Sequence, residues 1–172
     1  SILTHLEKGA TGKIPETPKP NDPAFKNNPT HIIGDNRQAA LGGLKKAQQE
    51  GFHSQVLTTS LQGEAKEVGK RLASLLKQMA QTGKPLPTPA CIIAGGETTV
   101  TLGQSPGLGG RNLEVALGAV EEISRLPNIA LITLATDGED GPTDAAGAVV
   151  TGQTLYRAKS KNLSPQLYLN HH

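Results

Sequence analysis

QVLTTSLQGEAKEVGKRLASLLKQMAQTGKPLPTPACIIAGG, residues 55–96, decides the fold class. It opens on QVLTT (55–59), whose β-branched content reads as a strand. From Glu64 to Gln81, Val68, Leu72, Leu75, Leu76 and Met79 recur at helical spacing and fall on one face. Lys66, Lys70 and Lys77 fall elsewhere. Gly83 stops that helix, KPLPTP links, and ACIIAGG (90–96) is an apolar run without alternation. A strand, an amphipathic helix and a second strand of this kind predict parallel pairing under a covering of helices.

Outward from this unit the same alternation continues. HIIG (31–34) reads as a short strand. A helix then runs to about Glu50, with Asp35 or Asn36 as N-cap, Ala40, Leu44 and Ala47 inward, and Gly51 as the stop. Downstream, TTVTL (98–102) reads as a strand, GQSPGLGG (103–110) as a glycine-rich loop, and Arg111 to about Arg125 as a helix. IALITLA (129–135) is another apolar run, AGAVV (146–150) a short strand, and TLYRAKSK the start of a last helix. The expected architecture is an α/β domain over residues 31–172. Its three layers are α/β/α around a mainly parallel sheet, with some antiparallel edge strands. Residues 1–30 read as a connector, because residues 13–30 hold five prolines. SILTHLEKG resembles a helix tail ended by Gly9, and LYLNHH lacks a stop signal. The expectation is therefore a longer protein, with this domain cut short at its C-terminal end.

Lys plus Arg number 17 against 15 Asp plus Glu, and aromatics make up 2% of 172 residues, which argues against nucleic acid as a partner. A single cysteine, Cys91, rules out an intrachain disulfide. No apolar run has membrane-spanning length and the N-terminus lacks a signal-peptide pattern. The expected setting is the cytoplasm, away from membranes.

Ligands of parallel sheets bind beyond the carboxyl ends of the strands, so three loops matter. In GQSPGLGGRNLE, Gly107, Gly109 and Gly110 let backbone approach a ligand, Arg111 offers a guanidinium fork, and the following helix offers its N-terminus; a flexible loop with a surface arginine explains the stretch equally well. The dinucleotide fingerprint fails where its third glycine becomes Asn112, and no P-loop pattern is present. In GGETT, Gly95 and Gly96 turn the chain and place Glu97 and Thr98 at a strand end, beside a metal, a sugar hydroxyl or Arg111, or simply in a solvated turn. In ATDGEDGPTDAAGA (135–148), Asp137, Asp140 and Asp144 could meet Mg²⁺ or take a proton. An EF-hand is excluded by Gly141 and Ala148 at positions that need carboxylates. Turn and cap chemistry explains Asp140 and Asp144 equally well, so Asp137 is the stronger functional candidate. In GDNRQA (34–39), capping accounts for Asp35 and Asn36, while Arg37 could reach an anion or lie on the helix surface. Histidines 5, 31, 53, 171 and 172 have no metal-ligand spacing; the last two could be native or a tag remnant. No serine sits in a nucleophile elbow.

Taken in order, GGETTVTL, GLGGRNLE and ATDGEDGPTDAAGAVV closely resemble the MOFRL-type C-terminal region of bacterial and archaeal glycerate 2-kinases, whose members are often labelled hydroxypyruvate reductase. IPETPKPNDPAF, HIIGDNRQAA and LQGEAKEVG resemble the segment that precedes it. The resemblance implies a phosphotransferase moving the ATP γ-phosphate to the 2-hydroxyl of D-glycerate with Mg²⁺. It implies an N-terminal domain of the same protein that supplies a catalytic lysine, and a final segment rich in Gly, Thr and Asn. It places Arg111 and Asp137 as catalytic, and Gly95, Gly96, Glu97, Thr98, Gly109, Gly110 and Asn112 around substrate or phosphate. Asp137 and Asp140 become candidate metal ligands. Leu113 departs from the family's GGRNQE, which puts a role for that side chain in doubt. Pairing into a homodimer stays open. Two alternatives remain: an NAD(P)H-dependent hydroxypyruvate reductase, against which the incomplete fingerprint and the missing ribose-binding acid speak, and a non-catalytic binding or assembly domain using helix 64–81.

Overall fold

A computed structural model describes residues 1–103 and 107–170. Gln104–Pro106 of the glycine-rich loop and the terminal histidines 171 and 172 lie outside the described residues. Two compact units result, Ser1–Gly34 and Asp35–His172.

The first unit holds α1 (Ile2–Ala10), capped by the Ser1 hydroxyl accepting from the Thr4 amide, and one turn of 3-10 helix at Pro23–Phe25. HIIG, expected as a strand, forms none. Ile33 is 96% exposed, so that segment lacks the burial that would reward pairing.

The second unit begins with α2 (Asn36–Gln49), whose N-cap is Asp35: its carboxylate accepts from the Gln38 amide. The unit continues with β1 (His53–Leu61), α3 (Ala65–Thr82) and β2 (Ala90–Gly96). The two strands pair in parallel from His53 opposite Ala90 to Leu61 opposite Gly96, as residues 55–96 predict. The left-handed Gly83 (φ 66°) ends α3 where expected. Helix α2 lies on the β1–β2 pair, with Ala40 buried. Helix α3 instead makes its main contact with α4 (Arg111–Ala119).

That helix pair approaches closely because each partner presents a glycine to the other's backbone. A methyl group at Gly69 would collide with the Val115 carbonyl oxygen, and one at Gly118 with the Lys66 carbonyl oxygen. The seam leads into the principal core of Ala73, Ala116, Ala119, Val120, Ile123, Leu131 and Val150. Leu131 and Val150 come from β3 (Ala130–Ile132) and β4 (Val149–Thr151), which pair antiparallel. The outward neighbours Ile132 and Val149 are 70% and 60% exposed. Helices α5 (Thr154–Ser160) and α6 (Pro165–Leu169) follow.

Mixed α/β architecture with parallel and antiparallel pairing therefore holds, with corrections to its parts. The described strands form two separate ribbons rather than one sheet. TTVTL is not a strand. Gly96 packs against the Leu61 backbone and turns the chain, so that Thr99 meets Glu64 in one isolated parallel bridge. The run 129–135 shortens to three strand residues because its partner is the equally short β4. No helix among the described residues is long and apolar enough to cross a membrane.

Candidate active site

The parallel ribbon determines where chemistry can gather. Both β1 and β2 end at the same edge, and their outgoing chains are stitched together there. The Glu97 amide donates to the Leu61 carbonyl at 2.9 Å, the Thr99 amide to the Gly63 carbonyl at 2.9 Å, and the Ala65 amide to the Thr99 carbonyl at 2.8 Å. Glu64 adds a second tie, its carboxylate accepting from the Thr101 amide at 2.9 Å and the Thr101 hydroxyl at 3.0 Å. Helix α2 reaches the same edge. The Asn36 side chain donates to the Thr59 carbonyl at 2.6 Å and covers Gly95, where a methyl group would strike it. Gly95 and Gly96 thus serve backbone packing at this edge.

An open groove of about 480 Å³ lies beyond, lined by Gln62, Gly63, Glu97, Thr98, Thr99 and Arg111. Thr98 is buried, and Glu97 and Arg111 are exposed. Arg111, the first residue of α4, extends its guanidinium to Glu97, with Nη1 to Oε1 at 2.5 Å. Three of the expected residues, Glu97, Thr98 and Arg111, are therefore brought together. Gln62, Gly63 and Thr99 were not among the candidates. The signal for them was present, because LQGE follows a strand directly and its glycine marks a loop at the carboxyl end.

Sequence spacing suggested that the N-terminus of α4 would receive a ligand anion. The structure fills it with a carboxylate of the same chain. Asp140 is 3% exposed. Its Oδ1 accepts from the Asn112 amide at 3.0 Å and from Asn112 Nδ2 at 3.2 Å, and its Oδ2 accepts from the Leu113 amide at 2.7 Å. Those amides are among the donors a helix leaves unpaired, and the carboxylate meets the positive end of the helix dipole. Gly109 and Gly110 accommodate this contact. A methyl group at Gly110 would collide with the Asp140 carboxyl carbon, and one at Gly141 with the Gly109 carbonyl. Asn112 is likewise turned toward Asp140.

Asp137 and Asp144 are exposed. The Asp137 carboxylate accepts from the Glu139 amide at 3.3 Å, a turn within its own loop. Neither residue lines the groove. Among the described residues no group of three or more His, Cys, Asp and Glu side chains is gathered as a metal cage.

These features define a mixed α/β domain with an arginine–carboxylate groove at the carboxyl edge of parallel strands. Residues 90–172 match the model of the MOFRL family. Similar proteins extend the match upstream. A glycerate 2-kinase from Pyrococcus horikoshii is 37% identical over 100% of this chain and 38% of its own length. A D-glycerate 2-kinase from Thermotoga maritima is 38% identical over 91% of this chain and 36% of its own. The crystal structure of a Thermotoga maritima glycerate kinase superposes with a TM-score of 0.80 at 39% identity, covering 83% of this chain and 34% of that one. The chain thus spans under two-fifths of the length of these relatives.

Proposed function

We propose that this chain forms one wall of a glycerate 2-kinase active site, where the γ-phosphate of ATP passes to the 2-hydroxyl of D-glycerate. The observation that carries the assignment is the Arg111–Glu97 groove at the carboxyl edge of β1 and β2, in a chain whose relatives bear that kinase name. Phosphoryl transfer relies on positioning and on positive charge around the moving group. Arg111 suits a phosphate or the glycerate carboxylate, since a guanidinium binds such oxygens in pairs. Its partner Glu97 must release it for that purpose, while the turn that carries Glu97 is held by the Glu97 and Thr99 amides donating to Leu61 and Gly63.

Mg²⁺ would neutralise phosphate charge when bound with the nucleotide. The residues fit such a metal only thinly, as one carboxylate beside phosphate oxygens rather than a protein cage. Asp137 is exposed but outside the groove lining, and the Asp140 carboxylate already accepts three hydrogen bonds. The complementary wall, with the lysine that the family resemblance implies, belongs to an N-terminal domain of the full-length polypeptide. We place the enzyme in the cytoplasm.

A coupled assay on the full-length polypeptide tests this directly. ATP with glycerate should be consumed to give 2-phosphoglycerate, and NADH with hydroxypyruvate should not turn over. The reverse pattern would establish the reductase instead. In the same protein Arg111→Ala should lower kcat/KM by roughly a hundredfold or more with the fold intact. Unchanged turnover would favour a binding or assembly role for this domain.

A further inference from the structure

We infer that Asp140 is a positioning residue: its buried carboxylate fastens the acidic loop 137–145 to the start of α4 and thereby sets where Arg111 stands in the groove. The inference rests on the reading of Arg111 as the anion-binding group. Three observations carry it. First, the three hydrogen bonds that the Asp140 carboxylate accepts come from the two residues after Arg111, so it grips the turn of helix from which the guanidinium extends. Second, the two loops are closed on each other from both sides, with Gly110 against Asp140 and Gly141 against Gly109 leaving no room for a methyl group. Third, the acidic loop is braced from within. The Asp140 amide donates to the Ala145 carbonyl at 2.9 Å, and the Thr143 hydroxyl donates to the Asp140 carbonyl at 2.7 Å. The loop that bears Asp137 and the helix start that bears Arg111 therefore move as one piece. Asp140 is the joint.

The substitution Asp140→Asn tests this at nearly constant volume. It removes the charge and turns an amide donor toward the Asn112 and Leu113 amides. Nuclear magnetic resonance on the ¹⁵N-labelled chain can follow three readouts: exchange of the Asn112 and Leu113 amides, the Arg111 Nε signal, and its response to inorganic phosphate. In the variant, exchange at residues 112 and 113 should quicken by about tenfold or more while core amides such as Ile123 keep their protection. The phosphate response at Arg111 should weaken roughly tenfold. A merely structural role would change all amides together. Protection at 112 and 113 equal to wild type, or an unaltered Arg111 signal and phosphate response, would overturn the inference. If the wild-type chain gives no phosphate response, the anion reading of Arg111 fails. The joint is then judged by whether the Arg111 Nε signal moves on substitution. Should Asp140→Asn not fold, Gly141→Ala forces the acidic loop away from Gly109 and must shift Arg111 in the same way; an Arg111 signal that stays put refutes the inference.

Discussion

Cys91 lies near the start of β2, half-buried, and burial pushes its thiol pKa up because the thiolate loses solvation there. The sign of the pH effect follows. The neutral thiol is the form the fold favours, so this contribution to stability is complete below the unfolded thiol's pKa and is lost as pH rises through the folded value. Alkylation, which needs the thiolate, should be slow at neutral pH in the folded chain and accelerate only above the usual thiol range, while chain unfolded in urea reacts faster. Rates of iodoacetamide labelling from pH 7 to 10, with and without urea, check this; a fast folded-state reaction at pH 7 would contradict it. A second residue-scale expectation concerns Asp140→Ala, which strips the partly buried Asn112 and Leu113 amides of their acceptor. It should cost about 1–3 kcal/mol in urea unfolding, and an unchanged midpoint would show the cap to be dispensable.

At the scale of elements, the helix pair α3–α4 depends on the absence of side chains at Gly69 and Gly118. Gly69→Ala meets a backbone oxygen that cannot swing aside, so despite alanine's better helix propensity it should destabilise by about 1–3 kcal/mol, read as a lowered urea midpoint at unchanged m. A stabilised variant would show that the helices separate easily. The same pair shows what a single sequence discloses. The span 55–96 predicted β1, α3 and β2 in order, because helical periodicity and an unalternating apolar run are local signals. Nothing local distinguishes HIIG, which stays exposed, from ACIIAGG, which pairs, since pairing depends on a distant partner. Of the site, Glu97, Thr98 and Arg111 were legible because each follows a strand end or a glycine turn. The destination of Asp140 was not, since whether a carboxylate faces a metal or a helix end is decided across the gap between two loops.

At the scale of the whole molecule, the groove is open to solvent. Its lining comes from two strand ends and one helix start, and it presents a guanidinium and a carboxylate to solvent. Phosphoryl transfer needs water excluded from the reacting groups. The isolated chain should therefore show negligible glycerate-dependent ATP turnover even when folded. Circular dichroism together with the coupled assay would test this, and robust turnover would show that one wall suffices.

The two ribbons also differ in how far the chain must travel to form them. Ile132 and Val149 meet across one loop, whereas the partners of β1 and β2 are separated by the whole of α3 and its linker. Closing the longer loop costs more entropy before any contact repays it. The β1–β2 edge that carries the groove should therefore close after the β3–β4 ribbon.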